Sequence, residues 1–277
     1  MADSIEVKIL ADDLVHEPDL LAEHGLCFWI SKENRQVLFD TGQGLVLEHN
    51  AEELGINLSR LSAAVVSHGH NDHGGGIEGL LEHQQDLALY GHPEIFSDKY
   101  VKEDKGDLRN AGIDFSREQI NFKPINDHQE ICGGLQLTGP IPRKNSWETT
   151  PDNYLKLTEE EGEEELVKDD FIDDQALFFP TVSGTVVLLG CAHAGVVNTL
   201  EHIRSISSQS SLRAVLGGMH LYSADDHIIK KTIEYLDDLD LDLIVPMHCT
   251  GFSAQAEMRR SLNTRVKIGE VGERYVF

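Results

Sequence analysis

Ser67-His68-Gly69-His70-Asn71-Asp72-His73-Gly74-Gly75-Gly76 sets three imidazoles and a carboxylate within six residues, directly after the apolar run Ala63-Ala64-Val65-Val66. Side chains alternate along an extended segment, so His68 and His70 project to the same side. Asp72 and His73 fall where the chain tightens and can serve a second ion a few ångströms away. Imidazole and carboxylate suit Zn²⁺, and also Fe or Mn. The glycines let the backbone bend sharply before a helix begins, and their N–H groups are on offer to an anion. The stretch reads as a metal-binding turn between a strand and a helix, in preference to a polar surface turn.

On either side of this turn the chain alternates short strands and helices. Patterning predicts strands at 5–10, 27–31, 36–39, 63–67, 87–90, 135–138, 176–179, 185–189, 213–216, 243–246 and 274–277. It predicts helices at 45–54, 76–83, 196–207, 225–239 and 254–262. Hairpin turns at Lys32-Glu33-Asn34-Arg35 and Val182-Ser183-Gly184 mark two halves, each later interleaved with helices. That organisation suggests two packed sheets covered by helices in a single domain, 1–277. Residues 98–121 pattern poorly, as a surface excursion. Residues 143–174 read as an irregular insertion whose acidic block, from Glu159 to Asp174, is expected to be solvated loop or a lid. A short echo links Ser67-His68-Gly69-His70 with Gly190-Cys191-Ala192-His193, which would bring two ligand sets to one sheet edge.

The 277 residues carry 23 Lys plus Arg against 48 Asp plus Glu, a net charge of −25. Such a surface repels phosphate backbones and anionic lipid, so neither nucleic acid nor membrane is an expected partner. No apolar run approaches the roughly 20 residues of a membrane span. The start, Met1-Ala2-Asp3-Ser4-Ile5, lacks the features of an export signal. Four scattered cysteines, Cys27, Cys132, Cys191 and Cys249, make no disulfide framework, and a cytoplasmic location with reduced thiols is expected.

Four more features accompany the histidine turn: Phe39-Asp40-Thr41-Gly42, Gly190-Cys191-Ala192-His193, Gly217-Gly218-Met219-His220 and Pro246-Met247-His248. Together with His-x-His-x-Asp-His, in this order, they resemble the metallo-β-lactamase superfamily over nearly the whole chain. The resemblance implies an α/β fold, a four-layer αββα sandwich of two mixed β-sheets flanked by helices, with a binuclear metal site between the sheet edges. Gly190-Cys191-Ala192-His193-Ala194-Gly195, Gly217-Gly218-Met219-His220-Leu221 and His248-Cys249-Thr250-Gly251 are similar to the branch named for dihydropterin-methyl-ribofuranosylaminobenzene-phosphate synthase.

Carried over residue by residue, the resemblance implies His68 and His70 as ligands of one metal, and Asp72, His73 and His248 as ligands of the other. Two positions depart from the family. Its middle-strand histidine is missing from Leu137-Thr138-Gly139-Pro140-Ile141-Pro142, and Cys191 stands where a bridging aspartate is usual. His193 is therefore expected to supply the missing nitrogen, with the Cys191 thiolate near the bridging position, which favours zinc. Buried core roles are the competing readings of Cys191, His193 and His248. His220 is expected either beside the substrate or ligands, or in a structural role. Asp40 is expected to orient a ligand histidine or to cap a turn, and Arg143 to contact a phosphate or form a surface salt bridge. His16, His24, His49, His83, His92, His128, His202 and His227 lack ligand company and read mostly as surface residues.

The expected enzyme is a metal-dependent hydrolase or transferase holding two divalent ions, zinc ahead of iron or manganese. The metals would generate hydroxide near neutral pH or hold a leaving group, with Asp72 orienting the water or taking its proton. The expected partner is a phosphorylated or pterin-like small-molecule substrate. The alternatives are a thioester or ester hydrolase of the glyoxalase II kind and a non-catalytic ligand-binding protein on the same fold.

Overall fold

In the computed structural model, which describes residues 4–160 and 162–277, seventeen strands form three sheets. Residues 1–3 and Glu161 of the acidic block lie outside the described residues. The strands in chain order are β1 (Ile5–Ala11), β2 (Cys27–Lys32), β3 (Arg35–Phe39), β4 (Ala63–Val65), β5 (Ala88–Gly91), β6 (Lys99–Lys102), β7 (Leu108–Asn110), β8 (Asn121–Pro124), β9 (Gln129–Cys132) and β10 (Leu135–Leu137). They continue with β11 (Tyr154–Glu160), β12 (Glu163–Lys168), β13 (Leu177–Thr181), β14 (Gly184–Leu189), β15 (Leu212–Gly218), β16 (Leu243–Met247) and β17 (Arg274–Val276). The helices are α1 (Leu47–Glu53), α2 (Asn71–Gly74), α3 (Ile77–His83), α4 (Val196–Ile206), α5 (Asp226–Asp237) and α6 (Phe252–Ser261).

One sheet runs β17-β1-β2-β3-β4-β5-β8 and the second β16-β15-β14-β13-β10-β9, both mixing parallel and antiparallel pairs. Alternation along the strands builds the layers. In β14, Val186 and Leu188 enter the core between the sheets, packing with Val7, Ile9, Phe28, Phe39 and Phe179. Val187 and Leu189 face the other way, against Val196, Leu200 and Ile203 of α4 and Ile229 and Ile233 of α5. On the far face of the first sheet, Leu38, Ala64 and Leu89 pack against Leu47 of α1 and Ile77 and Leu80 of α3. The result is the expected αββα sandwich.

Parallel pairing fixes where the functional loops go. The carboxyl ends of β3 and β4 in one sheet, and of β14, β15 and β16 in the other, deliver Asp40, His68, Cys191, His220 and His248 within a few residues of the strand ends. Loops beyond the carboxyl ends of parallel strands are where α/β proteins place ligands. Asp40, Ala192, His220 and His248 all have positive φ, between 47° and 63°. Such left-handed backbone costs a non-glycine residue on the order of 1 kcal/mol and clusters where a site needs it. At Gly190 a Cβ would come within 2.1 Å of the Ser67 hydroxyl, so the two sheet edges could not close on each other with a side chain there.

The two stretches read as irregular are corrected by the structure. Residues 98–121 contain β6 and β7, and the acidic block forms the hairpin β11–β12. Together they make a third sheet ordered β12-β11-β6-β7. All three residues of β7 are exposed, and β12 is exposed at five of six positions, so no period-2 contrast marks them. Glutamate is also a poor strand former by composition. Hydrogen bonding to neighbours, rather than burial, holds these strands. Among the described residues no helix is long and apolar enough to cross a membrane.

Candidate metal centre

Three imidazoles converge at the junction of the sheets. His68 Nε2 lies 3.1 Å from His70 Nδ1 and 3.2 Å from His193 Nε2, and all three residues are buried. Burial drives the His70 pKa down to about 3 against the pull of Asp72. Burial, reinforced by neighbouring imidazoles, holds His68 and His193 well below the ordinary range. These rings are neutral, and a neutral imidazole carries a hydrogen on only one nitrogen. Three such nitrogens at these distances could hold a metal ion.

A second group adjoins the first. Asp72 Oδ2 lies 3.8 Å from His73 Nε2 and 3.3 Å from His248 Nε2. The other nitrogen of each ring is held by a carboxylate: His73 Nδ1 is 2.7 Å from Asp40 Oδ2, and His248 Nδ1 is 2.7 Å from Asp13 Oδ1. Such outer carboxylates fix the tautomer and turn Nε2 inward. His248 Nε2 is buried with Asp72 Oδ2 beside it, two donor atoms that could hold a metal ion. Asp40 also accepts from the Ser67 N–H at 2.7 Å and the Ser67 hydroxyl at 2.9 Å, tying the histidine turn to the end of β3.

Cys191 lies between the groups. Its buried Sγ is 3.1 Å from His73 Nε2, and ligand atoms of His68, His73 and Cys191 all lie within 4.8 Å of one another. A donor set of imidazole, carboxylate and thiol fits zinc best, and iron or manganese less well. His220 leans on His193 with ring centroids 4.3 Å apart, and both its ring nitrogens are buried without a partner.

Two expectations change. Arg143 neither forms a salt bridge among the described residues nor reaches into the cleft. Its Nη2 donates to the carbonyls of His193 at 2.8 Å and Asp170 at 3.0 Å, bracing the ligand loop. The N–H groups of the glycine run are likewise taken: Gly74 donates to the His70 carbonyl, Gly75 to that of Asn71, and Gly76 to the Thr41 hydroxyl. The backbone closes on itself there because the turn needs those bonds to hold its shape.

Other residues joined the site unannounced. His24, read as a surface histidine without ligand company, has Nδ1 3.1 Å from Asp13 Oδ2 and Nε2 3.5 Å from Asp72 Oδ2. Its neighbours come from the loops after β1 and β4, so sequence spacing gave no sign of it. Phe171 stacks on His193 at 3.8 Å, Tyr154 on His70 at 5.5 Å, and Cys249 accepts the His220 N–H at 3.3 Å. Lys99 is buried between Asp169 (2.6 Å) and Asp173 (3.1 Å), and Asp173 accepts the Gly69 N–H at 2.7 Å, pinning the third sheet to the histidine turn. The signals available for Cys249 were its place directly after His248 and its part in the stretch His248-Cys249-Thr250-Gly251.

The family profile described as the metallo-beta-lactamase superfamily matches residues 21–248. This chain belongs to the metallo-β-lactamase superfamily. Its relatives include an uncharacterised protein of Methanocaldococcus jannaschii, 29% identical over 96% of this chain and 98% of that one. A second protein of that organism, 30% identical over 91% of this chain and 90% of its own, is named 7,8-dihydropterin-6-methyl-4-(beta-D-ribofuranosyl)-aminobenzene-5'-phosphate synthase. Among solved structures, Tm1679, described as a metal-dependent hydrolase of the beta-lactamase superfamily, superposes with a TM-score of 0.83 at 30% identity, covering 98% of each chain. Metallo-β-lactamase superfamily proteins are mostly metal-dependent hydrolases, and the His, Cys and Asp groups here are candidate ligands for such metals.

Proposed function

We propose that this chain is a metal-dependent hydrolase or transferase acting on a phosphorylated or pterin-like small molecule. His68, His70 and His193 would hold one divalent ion and Asp72, His73 and His248 a second, with the Cys191 sulfur beside both groups as a donor that would favour zinc. The convergence of His68, His70 and His193 at 3.1–3.2 Å carries this reading. The kinship with a protein named as a synthase of a pterin-linked phosphate supports the substrate class. Bound metals supply Lewis acidity and a water of lowered pKa.

The chain's own residues do the rest. Asp72, whose Oδ2 faces His73, His248 and His24, orients the attacking group or takes its proton. Burial pushes its pKa up, but the His73 and His248 rings outweigh burial and hold it well below the usual carboxylate range. Those rings are cationic while no metal is bound, because Asp40, Asp72 and Asp13 raise their own pKa values against the effect of burial. Asp72 is an ionised acceptor at neutral pH. Asp40 and Asp13 keep His73 and His248 aimed inward, while Tyr154 and Phe171 close the apolar side of the first imidazole group and exclude water.

Elemental mass spectrometry on protein purified without chelator or metal resin tests the centre, with close to two zinc ions per chain expected for a two-metal site. No metal, even after reconstitution, would overturn it. A screen of phosphomonoesters, phosphodiesters and thioesters then tests the substrate class. His70→Ala should abolish whatever turnover is found; unchanged hydrolysis would refute the assignment of the site.

A further inference from the structure

Two cavities meet at His193 and His220. One, of about 350 Å³, is the cleft over the ligand groups and includes His70, Asp72, Cys191 and His248. The other, of about 300 Å³, lies behind His220 and is lined by Trp147, Val196, Met219, Leu221, Ala224 and Ile228. We infer that the substrate is bipartite: its anionic head sits in the cleft beside Arg109, and an uncharged apolar or ring-bearing portion passes His220 into the Trp147 pocket. This rests on the proposed metal centre as the point of reaction and adds the substrate's polarity and orientation.

Charge decides which end goes where. No lysine or arginine lines the side pocket, and its acids are Glu148 and Asp225. Glu148 is already occupied, accepting the N–H groups of Val197 at 2.8 Å and Asn198 at 2.9 Å at the start of α4. With two carboxylates and no lysine or arginine in its lining, the side pocket disfavours a phosphate, whereas its mix of apolar side chains, Trp147 and hydroxyls (Thr149, Ser223, Thr232) suits an uncharged ring system. In the cleft, Arg109 is the single arginine or lysine among the lining residues. Its ion pair, to Glu103 at 3.4 Å, is exposed and worth little, so the guanidinium is free to turn to an anion. On a chain of net charge −25, with Asp13 and Asp72 in the same lining, that local cation adds to the proposed metals in favouring an anion.

His220 stands at the passage. Both its ring nitrogens are buried and unpartnered, a cost that a hydrogen-bonding edge on the passing group would remove. Two free ring nitrogens at this passage suit an amide-like or heteroaromatic edge.

Calorimetric binding of methylphosphonate, 2-phenylethylphosphonate and 4-phenylbutylphosphonate to the metal-loaded protein tests the arrangement. At least one aryl member should bind about tenfold tighter than methylphosphonate, the gain expected of burying a ring. Ala224→Phe, which fills the pocket, should erase that preference and leave methylphosphonate unchanged. Trp147→Ala, which removes the pocket's largest wall, should reduce the preference too and serves if Ala224→Phe does not fold. Arg109→Ala should weaken every member about tenfold. An aryl preference that survives both pocket variants, or methylphosphonate binding that ignores Arg109→Ala, would overturn the inference. Metal content read on the same samples separates the two claims. Two metals bound with no aryl preference defeats the orientation alone, whereas phosphonate binding that is indifferent to metal defeats the centre.

Discussion

The four-layer frame and the third sheet divide the labour of the site. Every proposed metal ligand follows a strand end of the frame: His68 and His70 in the turn after β4 with Asp72 and His73 in α2, Cys191 and His193 after β14, and His248 after β16. The groups that cover the cleft, Tyr154, Phe171 and Arg109, come from the excursion built around β6, β7, β11 and β12. The frame is stabilised by two-sided burial of its strands, while the excursion is stabilised by strand pairing, a four-residue apolar cluster of Val101, Ala111, Tyr154 and Phe171, and the buried Lys99 network. The proposed chemistry thus sits where the structure is over-determined, and the cover over the cleft is placed where it can vary.

The sharpest way to break that division is Lys99→Met. It leaves Asp169 and Asp173 buried without their cation, and removing one partner of such a network costs about 3–5 kcal/mol. Because Asp173 also accepts the Gly69 N–H, this excursion variant should lower metal retention as well as Tm; intact metal affinity would show the two regions to be independent. Burial works against the Lys99 charge, but Asp173 and Asp169 outweigh it and raise its pKa above 10.5. The pair's contribution is therefore complete below pH 10.5 and fades as pH climbs through the higher folded value. The stability gap between wild type and Lys99→Met should narrow only in strong alkali, as read by denaturant titration across pH.

His193→Ala tests the frame side. Spreading a structural zinc affinity of about 10–16 kcal/mol over four ligands gives about 3 kcal/mol each, so one ion should bind roughly a hundredfold more weakly. Competition with a chelating dye measures it, and an unchanged affinity would return His193 to the core. Asp13→Asn is gentler: it removes the carboxylate behind His248 and should weaken the second ion by about 10–100-fold, leaving the first in place. Equal weakening of both would mean that the groups share one ion.

The smallest effect belongs to the hairpin. Glu159 and Glu164 face each other across β11 and β12, and like charges directly opposite are unfavourable. Glu164→Lys should raise stability by about 0.2–1 kcal/mol with metal content unchanged. A loss of stability would place that face in a contact the pairing does not explain.

Legibility followed the same boundary. The helix at 76–83 and the strands at 185–189 and 243–246 lie within two residues of α3, β14 and β16, because each buries one or both faces and its pattern records that. The third sheet went unread because its exposed strands carry no contrast between faces. At the site, Asp40 was legible as the residue behind a histidine, and it lies 2.7 Å from His73 Nδ1. Asp13 and His24 were not, since nothing local distinguishes them from any surface acid and histidine.

By itself, the sequence determined the types of the proposed ligands and their local spacing. His-x-His-x-Asp-His needs only one strand end and one turn, and short-range backbone geometry already orients it. The tertiary structure decided which distant residues complete each group. His193 reaches His68 across 125 positions and Asp13 reaches His248 across 235. Those meetings depend on parallel strand pairing that brings two sheet edges together, a long-range packing outcome that no local pattern encodes.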